Sequence, residues 1–156
     1  MPVVFTKGDI FASEGITAYA HGCNCAGAMG AGIAIEFKRR WPAMFDEYAK
    51  LCADGRFGLG DVFVWTDGVT TVFNLGTQAH WRKKAQLPAL AKSLRKMVEL
   101  ADHAGIARIG LPRIGAGLGG LDWMRVKRVL GDVGAETKLT LTVFEQFVRT
   151  KAAATE

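Results

Sequence analysis

Two glycine-rich stretches hold the residues best suited to chemistry. The first runs His21-Gly22-Cys23-Asn24-Cys25-Ala26-Gly27-Ala28-Met29-Gly30-Ala31-Gly32-Ile33 and carries one amide side chain, Asn24, beside its glycines. Glycine lets the backbone turn with positive φ and approach a ligand with no Cβ in the way. Ala34-Ile35-Glu36-Phe37-Lys38 then reads as a helix, whose first N–H groups and dipole favour an anion. The second stretch, Pro112-Arg113-Ile114-Gly115-Ala116-Gly117-Leu118-Gly119-Gly120, has the same grammar. It lies between the strand-like Ile106 to Leu111 and the helical Asp122 to Val133. Two phosphate-type loops in one small chain point to a ligand with two phosphates held between them.

Two other chemistries are set aside on spacing. His21-x-Cys23-x-Cys25 is too tight for a Cys-x-x-Cys zinc knuckle and has no second half, and in a continuing strand these residues would alternate between faces. Gly115, Gly117 and Gly120 fit the G-x-G-x-x-G dinucleotide pattern. Only one further strand follows, however, and no acidic residue stands about 20 positions on to hold a ribose.

The elements that must position the loops can be read in order. Val3 to Thr6 is a short strand, Ile16 to His21 a second, and Ile33 to Arg40 the first helix. Pro42 suits the first position of another helix, running to about Ala53. Val62 to Trp65 and Thr70 to Leu75 flank Asp67-Gly68, a hairpin signal. Gln86 to Ala104 has apolar residues at Leu87, Leu90, Ala91, Leu94, Met97, Val98 and Ala101, which is helical spacing, with Gly105 as its stop. Leu139 to Phe144 is the last strand and closes the sheet. Strands alternating with helices predict a three-layer α/β/α fold around a mixed, mostly parallel sheet. Residues 1–149 form one domain in this reading, and 150–156 a disordered tail.

At 156 residues, 49% hydrophobic, the chain can bury roughly 70% of its unfolded surface in one core. No apolar run approaches the ~20 residues of a membrane span, and Met1 to Thr6 lacks a signal peptide's basic start and apolar core. Three cysteines, an odd number, fit free thiols in a reducing compartment. A cytoplasmic protein, monomeric and without membrane contact, is the expectation. A net charge of +5 favours anionic ligands.

The motifs together resemble the macro domain, an ADP-ribose-binding α/β module, over nearly the whole chain. The residues carrying the likeness are Lys7-Gly8-Asp9-Ile10, Ala20 to Asn24, Met29-Gly30-Ala31-Gly32-Ile33-Ala34, Asn74-Leu75-Gly76-Thr77-Gln78, and Leu111 to Leu118. They look closest to the branch that holds the terminal ADP-ribose glutamate hydrolase and the ADP-ribose-1″-phosphate phosphatase. The resemblance implies that Asp9 accepts a hydrogen bond from the adenine amino group while the Ile10 N–H meets a ring nitrogen. Met29, Gly30, Ala31, Gly32 and Ile33 would hold one side of the diphosphate. Pro112, Ile114, Gly115, Ala116, Gly117, Leu118 and Gly119 would hold the other. Asn24 would bind the distal ribose, with His21, Thr77 and Gln78 as ligand contacts beside it, His21 also shaping the loop. Arg113 reads equally as ligand rim or surface, and Phe144 equally as adenine contact or core. No cofactor and no metal are implied.

The likeness fails at two catalytic positions. The glutamate hydrolase has a lysine where this chain has Gln78, and an aspartate where it has Gly119. Neither replacement supplies a nucleophilic amine or a general base, and Lys83 and Lys84 are remote substitutes. Asn24, Asp122 and His80 remain as catalytic candidates. Asp122 could orient water at C1″ of the distal ribose or cap the final helix; His80 could transfer a proton or be a loop histidine without a role. The expected activity is hydrolysis of ester-type ADP-ribosyl linkages on protein at C1″. The alternatives are a non-catalytic reader, removal of ADP-ribose from nucleic acid, and removal of phosphate from ADP-ribose-1″-phosphate. The nucleic-acid reading rests on Lys38, Arg39, Arg40, Arg82, Lys83, Lys84 and Arg125 to Arg128, a charge pattern that more often marks a solvated face.

Overall fold

A computed structural model describes residues 3–148. The expected tail at 150–156 and the boundary at 149 lie outside the described residues. The strands are β1 (Val3–Gly8), β2 (Ala18–Asn24), β3 (Val62–Thr66), β4 (Thr71–Gln78), β5 (Arg108–Leu111) and β6 (Thr140–Phe147). The helices are α1 (Ala34–Arg40), α2 (Pro42–Ala53), α3 (Leu87–His103) and α4 (Trp123–Ala135). One sheet takes the order β1-β6-β5-β2-β4-β3. Among the described residues only the β3–β4 hairpin is antiparallel; the other pairings are parallel. The three-layer α/β/α architecture is therefore present.

Side chains alternate between the two faces of the sheet, as strand geometry requires. Ala20 of β2, Phe73 of β4 and Leu141 of β6 face a core completed by Leu90, Leu94 and Met97 of α3 and Val126 and Leu130 of α4. Tyr19 and Val72 face the other way, toward Phe37 of α1 and Met44 and Tyr48 of α2. α3 buries Leu90, Leu94, Met97, Val98 and Ala101 of the predicted stripe, with Ala89 and Ser93 added and Leu87 and Ala91 only half-buried.

Three expectations need correction. β2 does not stop at His21. It runs on to Asn24, because the parallel ladder with β4 continues through Gly22↔Leu75, Cys23↔Gly76 and, after a bulge, Asn24↔Gln78. Its backbone groups thus find partners where the sequence suggests only loop. β6 does not close the sheet either, since it is paired on both sides, by β5 and β1. Ile33 caps α1 rather than opening it. A single turn of 3-10 helix at Ile10–Ala12 also goes unanticipated, with Asp9 accepting the Phe11 N–H at its start.

Candidate functional site

Asn24, Gln78 and Leu111 end the three adjacent strands β2, β4 and β5. After β5 the chain crosses outward to β6, while from β2 it proceeds to β3 and β4 on the opposite side. Ligands of open α/β sheets bind at such a divergence, outside the carboxyl ends of the strands. A cavity of about 450 Å³ lies there, lined by both glycine loops together with Asn24, Thr77, Gln78 and Trp81.

The loops meet this cavity with backbone. Gly32 and Gly115 take φ of 61° and 75°, a region that penalises any residue with a Cβ. The N–H groups of Gly30, Ala31, Gly32 and Ile33, and of Gly115, Gly117, Leu118 and Gly119, find no acceptor among the described residues. All of these residues line the cavity. Two facing sets of unpaired amide donors, one beside a helix start, form a receptacle for anionic oxygens.

The first loop is braced from behind. Asn24 Oδ1 accepts the N–H groups of Ala26 and Ala28 at 3.0 and 3.2 Å, and its Nδ2 donates to Ala28 O at 2.8 Å. The amide therefore closes its own turn, and its second Nδ2 hydrogen is the group left for a ligand. The Tyr48 hydroxyl of α2 donates to Asn24 O at 2.6 Å. His21 lies behind the cradle and does not line it: its ring stacks on Phe37 with centroids 3.9 Å apart, and Nε2 donates to Asn74 Oδ1 at 2.6 Å. Burial lowers its pKa to about 4, against the hydrogen bond to Asn74 that raises it. It is neutral at physiological pH. A role in ligand contact gives way to one in shaping the loop.

The second loop is packed against a strap formed by residues 79–86. Ala85 N–H donates to Gly119 O at 2.8 Å, Gln86 N–H to Thr77 O at 2.8 Å, and the Gln78 amide to Lys83 O. A Cβ on Gly119 would stand 2.7 Å from Gly115 O and 3.0 Å from the Ala85 Cβ. The packing leaves no room for the aspartate that the resemblance expects there. Gln78, where it expects lysine, ties down the strap.

The other expected residues divide. Met29, Pro112 and Ile114 line the cavity, as does Arg113, whose guanidinium lies 5.2 Å from the Trp123 ring centroid. Ala116 is in the loop but outside the lining. Asp9, Ile10 and Phe144 are buried and lie outside it too; Ile10 and Phe144 belong to the α1/α2-side core. Asp122 is exposed and accepts the Met124 N–H at 3.2 Å as the N-cap of α4. His80 stacks on Trp81 and accepts the Arg82 N–H through Nδ1. Of the three catalytic candidates only Asn24 lines the cavity, and Lys83 and Lys84 do not reach it. Cys23 does, but burial pushes its thiol well up, so it carries no thiolate. Among the described residues no three His, Cys, Asp or Glu side chains group as metal ligands.

Sequence reasoning missed Tyr48 as a brace, and Trp81 as part of the lining. The signal for Trp81 was there, an aromatic residue in a polar loop three positions after Gln78.

The fold and site define a class: a mixed α/β sheet whose strand ends open into a cavity between two glycine loops. The family model for the Macro domain matches residues 20–130, and the chain belongs to that family. Over 132 residues it is 35% identical to the DNA ADP-ribosyl glycohydrolase of Mycobacterium tuberculosis, covering 82% of this chain and 37% of that protein. The chain thus spans little more than a third of that relative's length. It is 28% identical to the ADP-ribose glycohydrolase OARD1 of Homo sapiens over 151 residues, covering 91% and 90% of the two chains. The solved macrodomain of Mycobacterium tuberculosis DarG superposes with a TM-score of 0.85 at 31% identity, covering 91% of this chain and 96% of that one.

Proposed function

We propose that this macro domain binds the ADP-ribosyl group and cleaves it from nucleic acid at C1″ of the distal ribose. One observation carries the binding: the unpaired N–H groups of Gly30 to Ile33 face, across one cavity, those of Gly115 and Gly117 to Gly119. That arrangement suits a diphosphate. The choice of nucleic acid over protein as carrier is supported by the likeness to a DNA ADP-ribosyl glycohydrolase. Exposed Arg82, Lys83 and Lys84 beside the cavity add to it.

In the cleavage, water oxygen bonds to C1″ while the bond from C1″ to the carrier breaks, and the carrier leaves with the proton that water gives up. Positive charge builds on the ribose ring in the transition state. The ligand's own diphosphate lies close enough in sequence of bonds to stabilise that charge and to hold the water, which asks little of the protein's side chains. Asn24 Nδ2 would orient the ribose hydroxyls.

A second reading, a reader without turnover, is favoured by the cavity lining, where Arg113 is the only charged residue among the described ones. Calorimetric titration with ADP-ribose, run beside turnover of an ADP-ribosylated single-stranded oligonucleotide and of glutamate-linked ADP-ribosylated protein, separates the two. Binding with release from the oligonucleotide is the expected result. Binding without release from either substrate selects the reader, and absence of binding overturns the ADP-ribose reading altogether.

A further inference from the structure

The sheet has two edge strands, and they are finished differently. β1 carries a charged residue, Lys7, and a register shift between Thr6 and Lys7. Both features blunt an edge against pairing with another chain. β3, Val62-Phe63-Val64-Trp65-Thr66, has no charge, no proline and no shift in its register. The Gly76 N–H donates to Asp61 O at 2.8 Å, and the Asp67 N–H to Thr70 O at 3.1 Å. Ladder bonds alternate along an antiparallel pair, so between those points Phe63 and Trp65 bond to β4, while the N–H and C=O groups of Val62 and Val64 point away from it. These outward groups meet no partner among the described residues. A cavity of about 700 Å³ opens along them. Val62, Phe63 and Val64 line it in succession, so it faces the strand's edge rather than one side of the sheet. It shares no lining residue with the cavity between the glycine loops.

The two walls of this groove differ. On the α2 side stand Leu51, Phe57 and Phe63, which are apolar. On the α3 side Lys92 and Lys96 stand one helical turn apart, exposed and in no ion pair among the described residues. Lys92 lies against the start of the strand, since a Cβ on Gly60 would stand 2.6 Å from its Cδ. Arg95 is already paired with Glu136, and Glu99 is the one acid on this wall among the described residues. We propose that β3 is a docking edge for an acidic, extended segment of a partner protein, which adds to the sheet as a further strand. Its backbone pairs with Val62 and Val64, and its alternate side chains reach opposite walls. Acidic residues then meet Lys92 and Lys96 while apolar ones meet Leu51, Phe57 and Phe63. A second copy of this chain is disfavoured, because β3 against β3 would bring two lysine walls together on one side of a continuous sheet. A nucleic-acid strand would satisfy the lysines but has no repeat of N–H and C=O groups to match the edge.

The test is amide hydrogen exchange at Val62 and Val64, read by NMR on the full chain with a short synthetic peptide of alternating glutamate and valine, and with its lysine–valine counterpart. At about ten times its Kd the acidic peptide should slow exchange at both amides about tenfold, whereas Phe63, already bonded to β4, should change little. The lysine–valine peptide should leave all three unaltered. Lys92→Glu combined with Lys96→Glu should weaken the acidic peptide roughly 3- to 30-fold. Val64→Pro removes an outward donor and spares the ladder to β4, so it should abolish the protection of Val62. Thermal melting verifies that each variant is folded. Equal protection by both peptides, or protection by neither, would overturn the docking edge. So would protection that appears without peptide and grows with protein concentration, which marks a second copy on β3.

Discussion

Asp122 and His21 both stand in motifs that suggest ligand chemistry, and both are occupied with structure. The Asp122 carboxylate caps α4 through the Met124 N–H. Asp122→Ala should therefore lower stability by about 1 kcal/mol in urea unfolding, while Asp122→Asn keeps the cap and most of the stability. If Asp122→Asn is stable yet loses turnover, the carboxylate acts on substrate after all. His21 is neutral in the fold, its pKa lowered from 6.5 to about 4 by burial. Between those values the unfolded chain binds a proton that the folded chain does not. This contribution to stability is complete above about pH 6.5 and is lost as pH falls toward 4, on the order of 3 kcal/mol in all. Urea unfolding from pH 7.5 to 4.5 should show that slope in wild type, and a shallower one in His21→Gln.

The two loops are held by elements that sequence inspection does not connect to them. α2 begins 18 residues after Asn24 in the chain, yet it supplies the hydroxyl that secures the Asn24 carbonyl. Tyr48→Phe leaves that buried acceptor without its donor, which should cost about 1–3 kcal/mol in chemical denaturation. ADP-ribose affinity should fall with it, because the turn carrying Gly30 to Ile33 loosens; unaltered affinity in calorimetry would show that α1 alone fixes this loop. The strap is tied to both positions at which the chain departs from the glutamate hydrolase's pattern. Gln78 and Gly119 each hold residues 79–86 in place, Gln78 through its amide and Gly119 through its carbonyl and the absence of a Cβ. A lysine at the first position would put a longer, charged donor where the Gln78 amide meets Lys83 O. An aspartate at the second would collide with Gly115 O.

For the molecule as a whole, net charge +5 is a poor guide to partners until the cations have places. Three of them sit on the strap beside the cavity mouth, whereas the diphosphate meets backbone donors. Affinity for an ADP-ribosylated single strand should thus fall with salt at a slope of about −2 on logarithmic axes, steeper than for free ADP-ribose. Lys83→Ala with Lys84→Ala should flatten that slope, and identical slopes for the two ligands would remove the strap from recognition. Period-two and helical hydrophobic patterns, with glycines at the turns, made the sheet-and-helix layering and both cradle loops legible in the chain. These are local properties: burial of one face imposes the pattern on the residues nearby, and positive φ selects glycine where the turn occurs. Strand order, the extension of β2 to Asn24, the retreat of His21 into the core and the exposure of Trp81 at the rim were not legible. Each depends on a partner far away in the chain, such as Leu141 for Val3, Asn74 for His21 or Gly119 for Ala85, and no local preference encodes which distant group arrives there.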